Sequence, residues 1–214
     1  MTEWGCSFVL SLPAWAATRI ISGASPNLVH AILALGPGKA NLGPDGGVLE
    51  LWDDALAEEI ERHAVEIARG AGRILVEHFG RQIDVEFKDD HERDPVTAAD
   101  KAAQEYLVAE ISKCFPDHGI LGEEGTKEEK ESEELAKDIL WVLDPLDGTT
   151  NFMNGLPMFA SSIGVLYRGW PMVAALYVPW PTNDGGFVLH CRKGGGCFAD
   201  DDKVSVYESE EPVP

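Results

Sequence analysis

Basic side chains are scarce: 17 Lys and Arg stand against 37 Asp and Glu in 214 residues, a net charge of −20. Phosphate backbones and anionic bilayers are gripped by clustered Lys and Arg, so neither a nucleic-acid nor a membrane partner is expected. A small phosphorylated substrate bridged by metal ions remains compatible with an acidic chain. Cysteine is also sparse. Cys6, Cys114, Cys191 and Cys197 contain no C-x-x-C pair and suggest no disulfide framework, which points to reduced thiols and a cytoplasmic setting. No apolar run reaches the roughly 18–20 residues of a membrane-spanning helix. The first charge is Glu3 and no Lys or Arg precedes Arg19, so the basic start of a secretory signal is lacking. The same stretch is acid-poor like an organellar transit peptide, but without its arginines. What is plentiful is apolar side chain, 44% of the sequence, enough for a real core in one domain or two small ones.

Two regions differ in composition. Residues 1–50 hold only Glu3, Asp45 and Glu50 as acids, and Pro13, Pro26, Pro37 and Pro44 break their apolar runs. They read as an N-terminal extension outside the catalytic fold, which residues 51–214 would form. From Asp53 the spacing becomes helical: Leu56, Ile60, Ala64, Ile67, Ala71, Leu75 and Phe79 recur at three- and four-residue steps with charges between. Asp53 or Asp54 would cap this helix and Gly80 would end it. His63 and His78 on or near its apolar face read as core or surface histidines. Val85 to Lys88 alternates like a strand. Thr97 with Asp100 resembles a capping box at the start of a second helix, with Ala103, Tyr106 or Leu107, Ile111 and Cys114 inward and Pro116 stopping it.

The chemistry concentrates further on. Gly119 to Gly125 reads as a brief strand presenting Glu123 and Glu124, and Thr126 to Asp138 as a solvated helix or mobile loop. The apolar run Ile139 to Leu143 reads as a buried strand that delivers Asp144 and Asp147 at its end. Pro145 cannot continue a ladder and Gly148 permits a tight backbone, so a turn is expected there with both acids at one corner. Two carboxylates with the Leu146 carbonyl between them suit Mg²⁺, which prefers oxygen ligands and finds its remaining partners in water and phosphate. The amides of Gly148 and Thr149 would then begin a short helix or nest able to hold phosphate oxygens. An acidic turn capping a helix would account for the spacing equally well. Beyond Phe152 two hairpins are expected, turning at Arg168 to Pro171 and at Gly194-Gly195. Cys191 and Cys197 would face each other across the second.

Asp144-Pro145-Leu146-Asp147-Gly148-Thr149-Thr150-Asn151-Phe152, Gly122-Glu123-Glu124 and Asp94-Pro95-Val96-Thr97-Ala98-Ala99-Asp100 together resemble the inositol monophosphatase family of Mg²⁺-dependent, lithium-sensitive phosphomonoesterases. The resemblance runs from about Leu56 to about Val206. It implies an α+β fold, helices layered on a largely antiparallel sheet as in inositol monophosphatase and fructose bisphosphatase. A second α/β layer and a late Trp-Asp-x-Ala motif would follow Val206; the sequence to Pro214 does not include them, so the C-terminal layer is expected to be missing. Trp52-Asp53-Asp54-Ala55 echoes that motif in the wrong place, and a helix cap explains it as well. The resemblance further implies metal ligation by Glu123, Asp144, Asp147 and the Leu146 carbonyl, and substrate contacts at Leu146, Asp147, Gly148 and Thr149. Catalytic roles fall to Asp94, Glu123 and Thr149, with Asp94 accepting a hydrogen bond from Thr149 and Lys88 near the same site. The implied substrate is inositol monophosphate, and the implied assembly of the full-length family is a homodimer. Bisphosphate nucleotidase, histidinol-phosphate phosphatase and fructose-bisphosphatase activities share the Asp-Pro-Leu-Asp-Gly-Thr core. An inactive regulatory or binding protein is the alternative from another class.

Overall fold

Helical spacing between Asp53 and Phe79 is realised as α1 (Asp54–His78) in the computed structural model, which describes residues 53–81, 85–87, 95–122, 133–179 and 185–204. The Asp53 side chain accepts the Ala55 amide at 3.0 Å and Phe79 closes the helix, followed by Gly80 at φ +72°. Ile60, Ala64, Ile67, Ala71 and Leu75 are buried along one face. His63 is buried too, its ring set edge-on to Phe115 and Trp141, while His78 hydrogen-bonds the Ile74 carbonyl through Nδ1. Residues 1–50, expected from composition to be an extension, lie outside the described residues.

A two-stranded antiparallel ribbon follows, β1 (Val85–Phe87) with β2 (Pro95–Thr97). Strand β2 is a finding beyond the sequence pattern, because it opens on Pro95, which argues against a ladder. Helix α2 (Ala98–Cys114) begins with the expected capping box: Thr97 Oγ1 accepts from the Ala99 and Asp100 amides, and the Asp100 carboxylate accepts the Thr97 amide at 2.9 Å. Ala103, Leu107 and Ile111 face inward as read, but Cys114 is exposed. Phe115, just past the helix, takes the apolar place there, 5.5 Å from the Trp141 ring.

Among the described residues seven strands form the main sheet in the order β3-β4-β5-β6-β7-β8-β9: β3 (Gly119–Gly122), β4 (Ile139–Asp147), β5 (Ala160–Tyr167), β6 (Trp170–Val178), β7 (Phe187–Arg192), β8 (Gly196–Ala199) and β9 (Asp202–Val204). Only β3 and β4 run parallel; every other neighbour pair is antiparallel. Residues 123–132 lie outside the described residues, and 133–135 make one helical turn whose Glu134 accepts the Ile120 amide at 2.9 Å. The main core forms where α1 and α2 pack against Trp141, Leu143, Ile163, Val165, Val173 and Tyr177 on one sheet face. This is the α+β layering expected from the sequence. Toward β7 and β8, α1 is fastened by polar side chains: Glu61 lies 2.8 Å from His190 Nδ1 and 3.0 Å from Arg192, and Arg69 lies 2.5 Å from Asp200.

Candidate active site

Strand β4 carries the candidate site residues Asp144, Leu146 and Asp147. The strand does not stop with the apolar run at Leu143 but continues through Asp147, and Pro145 lies within it. The pairing explains how. Asp144 is opposite Ser162 and Asp147 opposite Ala160, so three steps along β4 match two along β5, a bulge that absorbs the proline without requiring its missing N–H. Ala160 and Ser162, two apart on a continuous strand, share a face, and cross-strand partners do likewise. The bulge therefore sets Asp144 and Asp147 on the same side, where an unbroken strand would put residues three apart on opposite sides. Asp144 is buried and Asp147 exposed. The turn expected at Pro145 falls instead at Gly148, at φ +84°. A Cβ at Gly148 would meet the Met158 carbonyl at 2.8 Å, so both conformation and space call for glycine.

After that turn comes α3 (Thr149–Met153). Buried Phe152 holds it down, its ring centroid 4.8 Å from Phe159 and 5.4 Å from Phe79. Asn151 Nδ2 donates to the Met158 carbonyl at 2.8 Å and ties the returning loop to the helix. The Thr149 hydroxyl lies 3.0 Å from the Leu146 carbonyl and 3.4 Å from Asp100 Oδ1. Asp100, itself 3% exposed, receives the Thr97 hydroxyl at 2.5 Å and the Thr97 amide on its other oxygen, Oδ2. The carboxylate that reaches Thr149 among the described residues is thus Asp100, whose spacing from Thr97 in the sequence points only to a helix cap. Asp94, Thr149's partner by the family resemblance, lies outside the described residues, as do Glu123, Glu124 and Lys88. The missed signal was positional: Asp100 closes the Asp94-to-Asp100 motif, and a cap engages only one of its oxygens.

Asp144, Asp147 and the Leu146 carbonyl offer oxygen alone, the donor set of a hard cation such as Mg²⁺, and a carbonyl that accepts one hydroxyl keeps a second lone pair. Among the described residues no three His, Cys, Asp or Glu side chains converge as a metal site. The two described carboxylates fit Mg²⁺ as part of a larger set.

Residues 56–213 match the model of the inositol monophosphatase family, and the chain belongs to that family. It is 35% identical over 146 residues to a fructose-1,6-bisphosphatase/inositol-1-monophosphatase of Thermotoga maritima, covering 68% of this chain and 52% of that protein. It is 42% identical over 117 residues to Nus factor SuhB of Pasteurella multocida, covering 54% and 42%. The crystal structure of the extragenic suppressor protein SuhB from Bartonella henselae aligns with a TM-score of 0.60 at 31% identity, over 69% of this chain and 54% of that one. The chain spans about half the length of the curated relatives it matches.

Proposed function

We propose that this chain carries the metal- and phosphate-binding part of a Mg²⁺-dependent phosphomonoesterase, with inositol monophosphate as the first candidate substrate. The observation that carries the reading is the β4 bulge, which sets Asp144 and Asp147 on one face beside the Leu146 carbonyl and directly before the turn into α3. Asp144, Asp147 and Leu146 O, with Glu123, would hold the cation. Mg²⁺ bound there supplies activation of a water and stabilisation of charge on the transferring phosphoryl group and the departing alkoxide. The Gly148 and Thr149 amides would meet the phosphate oxygens. Thr149 would take up or relay a proton through its hydroxyl, with Asp100 as the acceptor behind it, held by Thr97. Glu123 keeps the catalytic role that the family resemblance implies, and Asp94, outside the described residues, would act near the same cation, with Asp100 as the carboxylate behind Thr149.

The test is phosphate release with and without Mg²⁺ from inositol monophosphate, adenosine bisphosphate, histidinol phosphate and fructose bisphosphate. Mg²⁺-dependent release, fastest from inositol monophosphate and inhibited by lithium, is the expected result; a different preferred substrate would replace inositol monophosphate by that class. The relatives named Nus factor SuhB favour a second reading, a regulatory protein on the same fold. That reading predicts Mg²⁺ binding with no release from any of the four esters.

A further inference from the structure

Cys191 and Cys197 play no part in the proposed hydrolysis, yet register sets them directly opposite each other on β7 and β8. The Asp200 amide donates to the Val188 carbonyl at 2.8 Å, so the polar main-chain groups of Val188, and by alternation those of His190 and Arg192, point toward β8. The Lys193 amide donates the other way, to Met172 of the β6 side at 2.8 Å, and Cys191 shares its direction. The Cys191–Cys197 pair is therefore of the non-hydrogen-bonded kind, in which opposed Cα atoms lie about 4.5 Å apart and side chains come closest. That separation falls at the short end of the roughly 4.4–6.8 Å spanned by disulfides. Neither residue is disulfide-bonded; Cys191 is partly exposed and Cys197 is buried. With Ala174, Leu176, Leu189 and Val204 they line an apolar hollow.

We propose that Cys191 and Cys197 form a reversible redox site that closes to an intramolecular disulfide by exchange with a small disulfide such as glutathione disulfide. The more accessible Cys191, as thiolate, attacks one sulfur of the small disulfide and breaks its S–S bond; the released thiolate takes the proton Cys191 gave up. Cys197, as thiolate, then attacks the Cys191 sulfur and expels the second small thiolate, which takes the remaining proton. Two protein thiols are oxidised to one disulfide and one small disulfide is reduced to two thiols. The bond would staple β7 to β8 beside Asp200, whose carboxylate holds both the Val188 amide and Arg69 of α1.

The full chain is equilibrated in glutathione buffers running from reduced to oxidised, alkylated, and mapped without reduction. Trypsin cuts after Arg192 and Lys193, so the bond appears as a cross-link between two peptides. The expected result is loss of two alkylatable thiols of the four, at Cys191 and Cys197 alone, restored by dithiothreitol. The cross-link is absent from Cys191→Ser and, in an independent variant, from Cys197→Ala. Full alkylation of both thiols in the most oxidising buffer, a mixed disulfide that persists on Cys191 without closure, or a cross-link found only in denaturant would each overturn the proposal.

Discussion

The single hydroxyl proton of Thr149 has two acceptors within reach, the Leu146 carbonyl at 3.0 Å and Asp100 Oδ1 at 3.4 Å. If the proposed relay holds, Thr149→Val should cut turnover about 10²-fold, the scale of a lost acid–base partner. Thermal stabilisation by Mg²⁺ should survive, because valine keeps the main-chain amide and adds no charge. Equal loss of both would make Thr149 structural. His118 permits a prediction independent of the phosphatase reading. The Trp141 indole donates to its Nδ1 at 3.0 Å, and its ring stacks on Phe115 at 4.8 Å. Burial lowers the His118 pKa below the ordinary 6.5, outweighing neighbouring Asp117, which raises it. The unfolded chain thus takes up this proton first as pH falls, so stability should decline from about 6.5 downward toward the folded value. His118→Gln keeps an acceptor for Trp141 but does not titrate, and its melting temperature should fall less than wild type over that window. Identical pH profiles of the two proteins would refute this account.

At the scale of elements, α1 was legible because its apolar residues repeat over seven turns. Strand β4 was legible as far as Leu143 and misread beyond, since proline normally ends a ladder and only pairing with β5 shows the bulge that accommodates it. β2 opens on Pro95 and β9 on Asp202-Lys203, so neither shows the apolar alternation that makes Val85 to Lys88, nearly as short, readable as a strand. The two glycines within α1 look equivalent in the sequence and are not. A methyl at Gly72 would overlap the ring of Tyr177, which is 1% exposed and fixed by its hydroxyl bond to the Gly185 carbonyl; a methyl at Gly70 would meet the hydroxyl end of partly exposed Tyr106. Alanine favours a helix over glycine by about 1 kcal/mol. Overpacking against an immobile ring costs up to about 3 kcal/mol. Gly72→Ala should therefore destabilise by about 2 kcal/mol net, whereas Gly70→Ala, whose obstacle can swing away, should be neutral or slightly stabilising. Urea denaturation of the two variants decides it, and equal midpoints would show that the Tyr177 ring yields.

For the whole molecule, the acids of β4 and the glycine after them mark the candidate site in the sequence and point to one shared corner, but the bulge that sets both acids on one face does not show there. Spacing alone places Asp144 and Asp147 three residues apart; that they share a face depends on a register shift against a strand that begins thirteen positions later, at Ala160. Asp100 reaches Thr149 from forty-nine residues away, through a helix start that seemed fully explained by capping. Such long-range convergence implies linkage between cation binding and folding. A cation that binds the native state and not the unfolded chain stabilises by RT ln(1 + [L]/Kd), about 2.7 kcal/mol at a hundredfold excess over Kd. Mg²⁺ should accordingly raise the melting temperature by several degrees, increasing with its concentration. Asp144→Asn retains shape and burial while removing a charge, so it should abolish most of that shift. Ser162→Ala, at the position opposite Asp144 in the ladder, should leave the shift intact because it removes no carboxylate. An Asp144→Asn protein with the wild-type Mg²⁺ response would take this residue out of the site, and a wild type with no response would argue against a cation held by the β4 bulge. Neither result depends on turnover, so the metal site can be judged separately from the identity of the ester.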